Sequence, residues 1–371
     1  MNILWFTWKD QKNPDAGGAE FINEGLASRL AKNGHHVKFI VANFKGGSSH
    51  EQLRGYEINR VGNRYTVYFE AFRYFKKHLQ QWPDVIIEEI NTMPFMTQLY
   101  SRSKRLLFIH QLCREIWFYQ FPFLLAIIGY FLEPLYLKLL SSNKVVTVSQ
   151  SSATDLVKYG FKKSNITIIP EFVDLRPIPN LSATKKFTEF TLLSLGSIRP
   201  MKRTHHQIKA FELAKEHIPK LKLKIVGRVS GIYGKKILKM IKHSKYSQDI
   251  EYIGKASQQK KQELLKKSHL LLATSVKEGW GLTITEAATQ GTPAIAYNVD
   301  GLRDSIINNR TGLLVKESNP TSLSQLILKL YQNEDLYQRL QTAAWETSVK
   351  YTLQSSYKEF IKRLYNHTPW Q

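Results

Sequence analysis

Glu278-Gly-Trp-Gly-Leu-Thr-Ile-Thr-Glu286 sets two carboxylates eight positions apart across a glycine-rich turn that opens a helix. Glu278 is expected at the mouth of a strand and Glu286 in the first turns of the helix that follows. Gly279 and Gly281 let the backbone pass close to a ligand, so that its N–H groups face an anion at the positive helix end. Just before this stretch, Leu270-Leu-Leu-Ala-Thr-Ser275 is a short apolar run that reads as a buried parallel strand. Just after it, Thr283 to Gln290 reads as a helix stopped by Gly291, and Pro293 leads into the strand Ala294-Ile-Ala-Tyr297. The segment therefore belongs at the carboxyl end of a strand in an open α/β sheet, where such sheets bind ligands.

Working outward, the same alternation of strand and helix fills most of the 371 residues, a length that implies two domains. The first series has strands at Ile3 to Thr7, Val37 to Ala42, Asp84 to Ile87, Arg105 to Ile109, Lys144 to Val148 and Ile166 to Ile169, with a helix from Ala19 to Lys32. Val173 to Thr184 carries two prolines and little periodicity and reads as the linker. A second series begins at Phe190-Thr-Leu-Leu-Ser194 and runs through Leu221 to Val226, Ile250 to Ile253, Leu270 to Ala273, Ala294 to Tyr297 and Gly312 to Val315. From about Leu323 onward the spacing is helical. The pattern predicts two doubly wound parallel sheets.

Composition narrows the function classes. One cysteine, Cys113, excludes an intrachain disulfide and fits a small buried hydrophobe in a reducing compartment. The apolar N-terminus lacks a basic leader and a small-residue cleavage site, so it reads as the first strand of a cytoplasmic domain. A formal charge of +23 calls for an anionic partner. Nucleic acid is disfavoured, because the lysines are spread through amphipathic helices and no nucleic-acid-binding motif is visible. Ile116 to Leu132 is the most hydrophobic stretch and falls short of the ~20 residues that span a bilayer. It contains Pro122 and is followed by Glu133-Pro134. Shallow insertion into an anionic leaflet and packing inside the first domain both fit it.

Three further places carry chemistry. Asp15-Ala-Gly-Gly-Ala-Glu20 follows the first strand, and the Gly17-Gly18 turn can cradle a phosphate or simply turn the chain. It lacks the dinucleotide fingerprint, which disfavours a nicotinamide enzyme. Gly196-Ser-Ile-Arg-Pro-Met-Lys-Arg-Thr204 follows the first strand of the second series, and its cations can stabilise a leaving diphosphate or lie solvated. His110 ends the strand Arg105 to Ile109 and is either a ligand group or a structural histidine. The other histidines have no metal-ligand partners at useful spacing.

Glu-Gly-aromatic-Gly-Leu with its second Glu resembles the signature of glycosyltransferase family 4, the retaining nucleotide-sugar transferases. The likeness covers nearly the whole chain and is strongest from Leu193 to Val315. It implies the GT-B fold: two Rossmann-like domains facing a central cleft, with C-terminal helices crossing back to the first. The implied limits are 1–178 for an acceptor domain, 186–350 for the donor domain and 351–371 for a helix packing back. The implied activity moves a hexosyl group, with retention, from a UDP- or GDP-sugar to a polysaccharide or lipid-linked acceptor in bacterial surface-glycan assembly. The implied location is the cytoplasm, peripheral on the inner membrane face.

Carried over residue by residue, Glu278 faces sugar hydroxyls, Glu286 holds ribose, and Gly279, Trp280, Gly281 and Leu282 complete the donor loop. Gly17 and Gly18 lie beneath the diphosphate, and His110 reaches the sugar 6-hydroxyl. Lys202 matches the family's diphosphate lysine. The arginine that the family places directly after the glycine is Ser197 here, with Arg199 proposed in its stead and Arg203 a weaker candidate. With no Asp-x-Asp pair, neither a metal nor another cofactor is expected. Two rivals are a phosphorylase on the same fold and a catalytically silent membrane or polyanion-binding protein.

Overall fold

Leu4 and Phe6 point to one face of the first strand and Trp5 to the other, the period-two pattern of a strand buried on both sides. In the computed structural model, which describes residues 1–182, 184–229 and 231–365, the chain divides into two compact units. The first comprises Met1–Trp117, Pro122–Phe172 and the segment from Leu353 onward; the second comprises Val173–Thr352 with Phe118–Phe121.

The sheet of the first unit contains β1 (Asn2–Phe6), β2 (His36–Ala42), β3 (His50–Leu53), β4 (Tyr56–Val61), β5 (Val85–Glu89), β6 (Lys104–Ile109), β7 (Lys144–Thr147) and β8 (Ile166–Ile168). Their order is β3-β4-β2-β1-β5-β6-β7-β8, parallel except for the β3–β4 hairpin. That order reverses direction between β1 and β5. The hairpin was not expected, because its turn is Arg54-Gly55 rather than Asn-Gly; both residues adopt positive φ, as a tight hairpin demands. Behind the hairpin, Arg60 is buried and grips Asp10 with two hydrogen bonds, Nε to Oδ2 at 2.7 Å and Nη2 to Oδ1 at 3.0 Å.

On one face of this sheet, Leu4, Phe6 and Ile86 meet Val67, Ala71 and Phe75 of the following helical segment. On the other face, Phe360 stacks on Trp5 at 5.9 Å and lies against Phe108 at 6.0 Å. Phe360 comes from the helix Leu353–Tyr365, which thus completes the core of the first unit as expected. The last six residues of the expected 351–371 segment, and Ala183 of the expected linker, lie outside the described residues.

The second unit has a fully parallel sheet of β9 (Thr191–Leu195), β10 (Lys222–Val226), β11 (Ile250–Gly254), β12 (Leu270–Ala273), β13 (Ala294–Tyr297) and β14 (Gly312–Val315). Its order is β11-β10-β9-β12-β13-β14, so the direction of winding reverses between β9 and β12. The boundary between units lies earlier than residues 178–186. Ile178 N–H donates to Thr289 O at 2.9 Å, and Trp345 Nε1–H donates to Ile178 O at 2.9 Å, so 173–178 is tied into the second unit.

The aromatic run resolves into two different surfaces. Trp117 is buried, its indole lying against Gly129, where a Cβ would meet the ring at 2.4 Å. Its Nε1–H donates to buried Glu133 at 3.1 Å. The helix does not stop at Glu133-Pro134 but runs from Phe123 to Leu140. Proline cannot donate to the carbonyl four residues back, that of Tyr130, and Arg114 Nη1 supplies the missing donor at 2.9 Å. Phe123, Leu124, Phe131 and Leu135 on this helix are between 65% and 74% exposed. The helix is long and apolar enough to cross a membrane by length and composition, and a third of it is buried inside the protein.

Candidate functional site

The reversal between β9 and β12 places two loops side by side at the carboxyl ends of their strands, the position where an open α/β sheet leaves a crevice. One is Gly196–Arg203, the other Thr274–Gly281. They are tied together: Val276 N–H donates to Met201 O at 2.8 Å, and Thr274 Oγ1–H donates to Lys202 O at 2.8 Å. Arg203, at φ 50°, turns the first loop into the helix Thr204–Lys215.

This tie brings Lys202 and Glu278 together. Lys202 Nζ forms an ion pair with Glu278 Oε1, which also accepts from Ser275 Oγ at 2.5 Å. Both side chains remain partly open, 25% for Lys202 and 16% for Glu278. Lys202 thus holds the motif carboxylate rather than standing free for a diphosphate. Behind Glu278 the backbone is closed in by Gly301, at φ 78°, where a Cβ would lie 2.2 Å from Glu278 O. No other residue fits there.

The rest of the loop is fixed by packing and pairing within the second unit. Trp280 is 7% exposed, donates from Nε1 to Thr285 Oγ1 at 3.0 Å and lies 5.4 Å from the Tyr351 ring. Its side chain is therefore part of the packing. Gly279 is buried, and Leu282 is half-buried at the start of the helix Leu282–Thr289. Gly281 precedes that helix, and a Cβ there would press within 2.4 Å of Ser305 Oγ, so packing as well as ligand approach demands glycine. Glu286 stands on the helix with Lys261 Nζ on its Oε1 at 2.7 Å. Lys261 was not foreseen, since nothing in Gln258–Lys267 distinguishes it from the neighbouring lysines. Ser197 and Arg199 are both exposed, and Arg199 makes no ion pair with a described residue.

In the first unit, His110 directly follows β6 and is buried. Its Nδ1–H donates to Glu171 Oε1 at 2.7 Å, Phe108 stacks beneath at 4.5 Å, and Nε2 lies 3.7 Å from Glu89 Oε1 with no hydrogen-bond partner among the described residues. Glu89 in turn accepts from Asn23 and from Asn91, the latter at 2.7 Å. Burial alone pushes His110 toward its neutral form; the hydrogen bond and charge of Glu171, then the charges of Glu89 and Glu20, outweigh it and raise its pKa above the usual value. Burial holds the Glu89 carboxyl above its usual range.

A base with a raised folded pKa stabilises the protein below its unfolded pKa of about 6.5, and this contribution is lost as pH rises through the higher folded value. We expect the His110 imidazole resonance to titrate above free histidine, and Glu171→Gln to move it downward. An unshifted titration in that variant would exclude Glu171 as the cause.

The Gly17-Gly18 turn opens the helix Gly18–Lys32 after β1. Its Gly17 N–H is already taken, donating to Glu20 Oε2 at 2.6 Å, and Lys9 pairs with Glu20 at 3.4 Å. Cys113 is buried and unbonded to any other cysteine. Among the described residues no group of three or more His, Cys, Asp and Glu side chains is placed to hold a metal ion.

Both halves match known families of one kind. Residues 16–176 match the family model described as Glycosyltransferase Family 4, and residues 177–347 match Glycosyl transferases group 1. The chain belongs to the family 4 glycosyltransferases, has their GT-B fold and is a glycosyltransferase. It is 22% identical over 370 residues to N-acetyl-alpha-D-glucosaminyl L-malate synthase of Bacillus anthracis, covering 90% of each chain. It is 25% identical over 211 residues to poly(glycerol-phosphate) alpha-glucosyltransferase of Bacillus subtilis strain 168; that match covers 57% of this chain and 31% of the relative's length. In fold it resembles WaaG, a glycosyltransferase involved in lipopolysaccharide biosynthesis, with a TM-score of 0.77, 19% identity, and coverage of 99% of this chain and 100% of that one.

Proposed function

We propose that the protein is a retaining, metal-independent hexosyltransferase that uses a UDP- or GDP-sugar and glycosylates a polysaccharide or lipid-linked acceptor. The observation that supports this is the joining of two loops at the carboxyl ends of β9 and β12, where Glu278 is held by Lys202 and Ser275, with Glu286 four residues into the helix that begins at Leu282. Glu278 would take sugar hydroxyls near the reacting carbon and Glu286 the ribose. Lys202, shared between Glu278 and the diphosphate, and exposed Arg199 would neutralise the leaving group in place of a divalent cation, together with the positive end of the helix. In a retaining reaction the departing phosphate oxygen takes the acceptor proton on the same face while positive charge develops on the sugar.

The relative named for poly(glycerol-phosphate) supports a polymeric acceptor, and the fold neighbour from lipopolysaccharide synthesis supports one at the cell envelope. Ser197, exposed where the family carries arginine, is the observation favouring a catalytically silent polyanion-binding protein instead.

Thermal-shift screening against nucleotide sugars tests the donor, since a ligand of the native state raises Tm. Donor hydrolysis without acceptor then tests catalysis. Both should persist in EDTA; loss restored by magnesium or manganese contradicts the metal-independent reading, and no shift with any nucleotide sugar contradicts the whole.

The exposed apolar face of Phe123–Leu140 and the +23 charge support a peripheral seat on the inner face of the cytoplasmic membrane. The protein is expected to sediment with anionic vesicles and to release partly as salt rises, since the Debye length is ~10 Å at 0.1 M. Serine at Phe123, Leu124 and Phe131 should remove the salt-resistant fraction. Trp117 is unsuitable for this test because it is core. Equal sedimentation of that variant at high salt would rule out insertion by this helix.

A further inference from the structure

Between Glu216 and Asp249 the sequence has nine lysines and arginines and no aspartate or glutamate. Three of them, Lys222, Lys224 and Lys245, find partners in Asp249, Glu251 and Glu216. Four others stand on the helix Gly231–His243 and make no ion pair with a described residue. This helix buries Gly234 and Ile237 and packs Tyr233, Met240 and Ile241 against the core of the second unit. On the opposite side it exposes Ile232, Lys235, Lys236, Lys239, Lys242 and His243. At 100° per residue these six fall on one stripe, and Lys235, Lys239 and Lys242 follow one another at intervals of about 5 Å along the axis. Four like charges so arranged repel one another, and no described residue pairs with them.

The character of the stripe selects its partner. Insertion into a bilayer uses an exposed apolar face, but the apolar face of this helix is spent on the core and Ile232 is the one large apolar side chain on the stripe. Single-stranded nucleic acid is held by exposed aromatic platforms, and the stripe has none. A straight row of ammonium groups suits a flexible chain with an anionic group in every repeat.

We propose that the exposed face of Gly231–His243 docks a linear phosphate-bearing polymer and thereby holds the acceptor on the donor unit. This rests on the reading of the protein as a glycan-acting transferase and names its acceptor's chemistry. Each docked phosphate displaces condensed counterions, so affinity falls with salt at a slope set by the number of contacts.

The test is binding of labelled long-chain inorganic polyphosphate by the full chain between about 50 and about 200 mM salt. A variant with Lys235→Gln, Lys236→Gln, Lys239→Gln and Lys242→Gln should bind at least about tenfold more weakly at the low end, with a salt slope shallower by about three. A control variant, K255Q/K316Q/K329Q/R339Q, removes the same charge from other exposed positions and should behave as the unaltered protein. An unchanged slope in the stripe variant overturns the proposal, as does an equal loss in the control. Loss of binding to anionic vesicles with polyphosphate binding intact overturns it in favour of a membrane contact. Thermal shift by nucleotide sugar should be the same in both variants; if no nucleotide sugar shifts even the unaltered protein, the transferase reading fails while the polymer measurement stands separately.

Discussion

Glu278→Ala is expected to lower kcat by about a hundredfold to a thousandfold, the cost of removing one well-placed electrostatic group from a transition state. Glu286→Ala is expected to act on binding instead, weakening nucleotide affinity by about tenfold to a hundredfold, as loss of charge-assisted hydrogen bonds worth about 1.5–3 kcal/mol implies. The division follows from what each carboxylate would face: a sugar ring that gains positive charge in the reaction, and a ribose that does not change. The observed pairs sharpen the comparison. Glu278→Ala also releases Lys202, and Glu286→Ala releases Lys261, so each substitution leaves a lysine without its ion-pair partner. Glu278→Gln keeps an acceptor for Lys202 and Ser275 while removing the charge, and it should be nearly as slow as the alanine variant. Titration calorimetry with the nucleotide and steady-state rates with donor separate the two effects. Equal loss of nucleotide affinity in both alanine variants would end this assignment.

The largest stability effect is expected at Asp10. Asp10→Ala should cost about 3–5 kcal/mol, because it takes the fully buried partner from a buried guanidinium rather than merely deleting a contact. The Arg60 side chain is 1% exposed and Asp10 is fully buried; without Asp10, Arg60 keeps Glu51 and the carbonyl of Ser48. Removing both partners in an Asp10→Leu, Arg60→Met variant should recover much of the loss, since a buried ion pair can be replaced by apolar groups of similar size. Denaturant unfolding of the first unit's transition reads both. A change below about 1 kcal/mol in Asp10→Ala would mean that water reaches Arg60 and the pair is not dry.

Four of the six parallel strands of the second unit were legible as short, mostly apolar runs, while Lys222–Val226 and Ile250–Gly254 were legible from apolar residues alternating with charged ones. The crevice loops were legible too, because their glycines and cations follow directly on those runs. What escaped was set by partners distant in sequence. Lys261 reaches Glu286 only because two helices pack side by side, and Glu171 reaches His110 from a stretch that reads as an irregular strand end. Trp117 and Phe123 belong to one unbroken hydrophobic run, yet one is core and the other is exposed; composition cannot separate them, whereas Gly129 beneath the indole does. Pro134 would ordinarily end a helix, and the compensating donor, Arg114, lies twenty residues earlier. The β3–β4 hairpin was hidden by a turn sequence that borrows an arginine for a left-handed position.

Phe360 has a consequence for how the protein comes into being. Trp5 and Phe108 are made early on the ribosome, but the ring that covers them is made after the whole second unit. The first unit therefore waits with an aromatic face open while the second unit, Val173–Thr352, is synthesised at about 5–20 residues per second. Exposed apolar surface of this kind is what chaperones bind and what aggregates. Its sheet can form first, and its core is completed only after the second unit has been made.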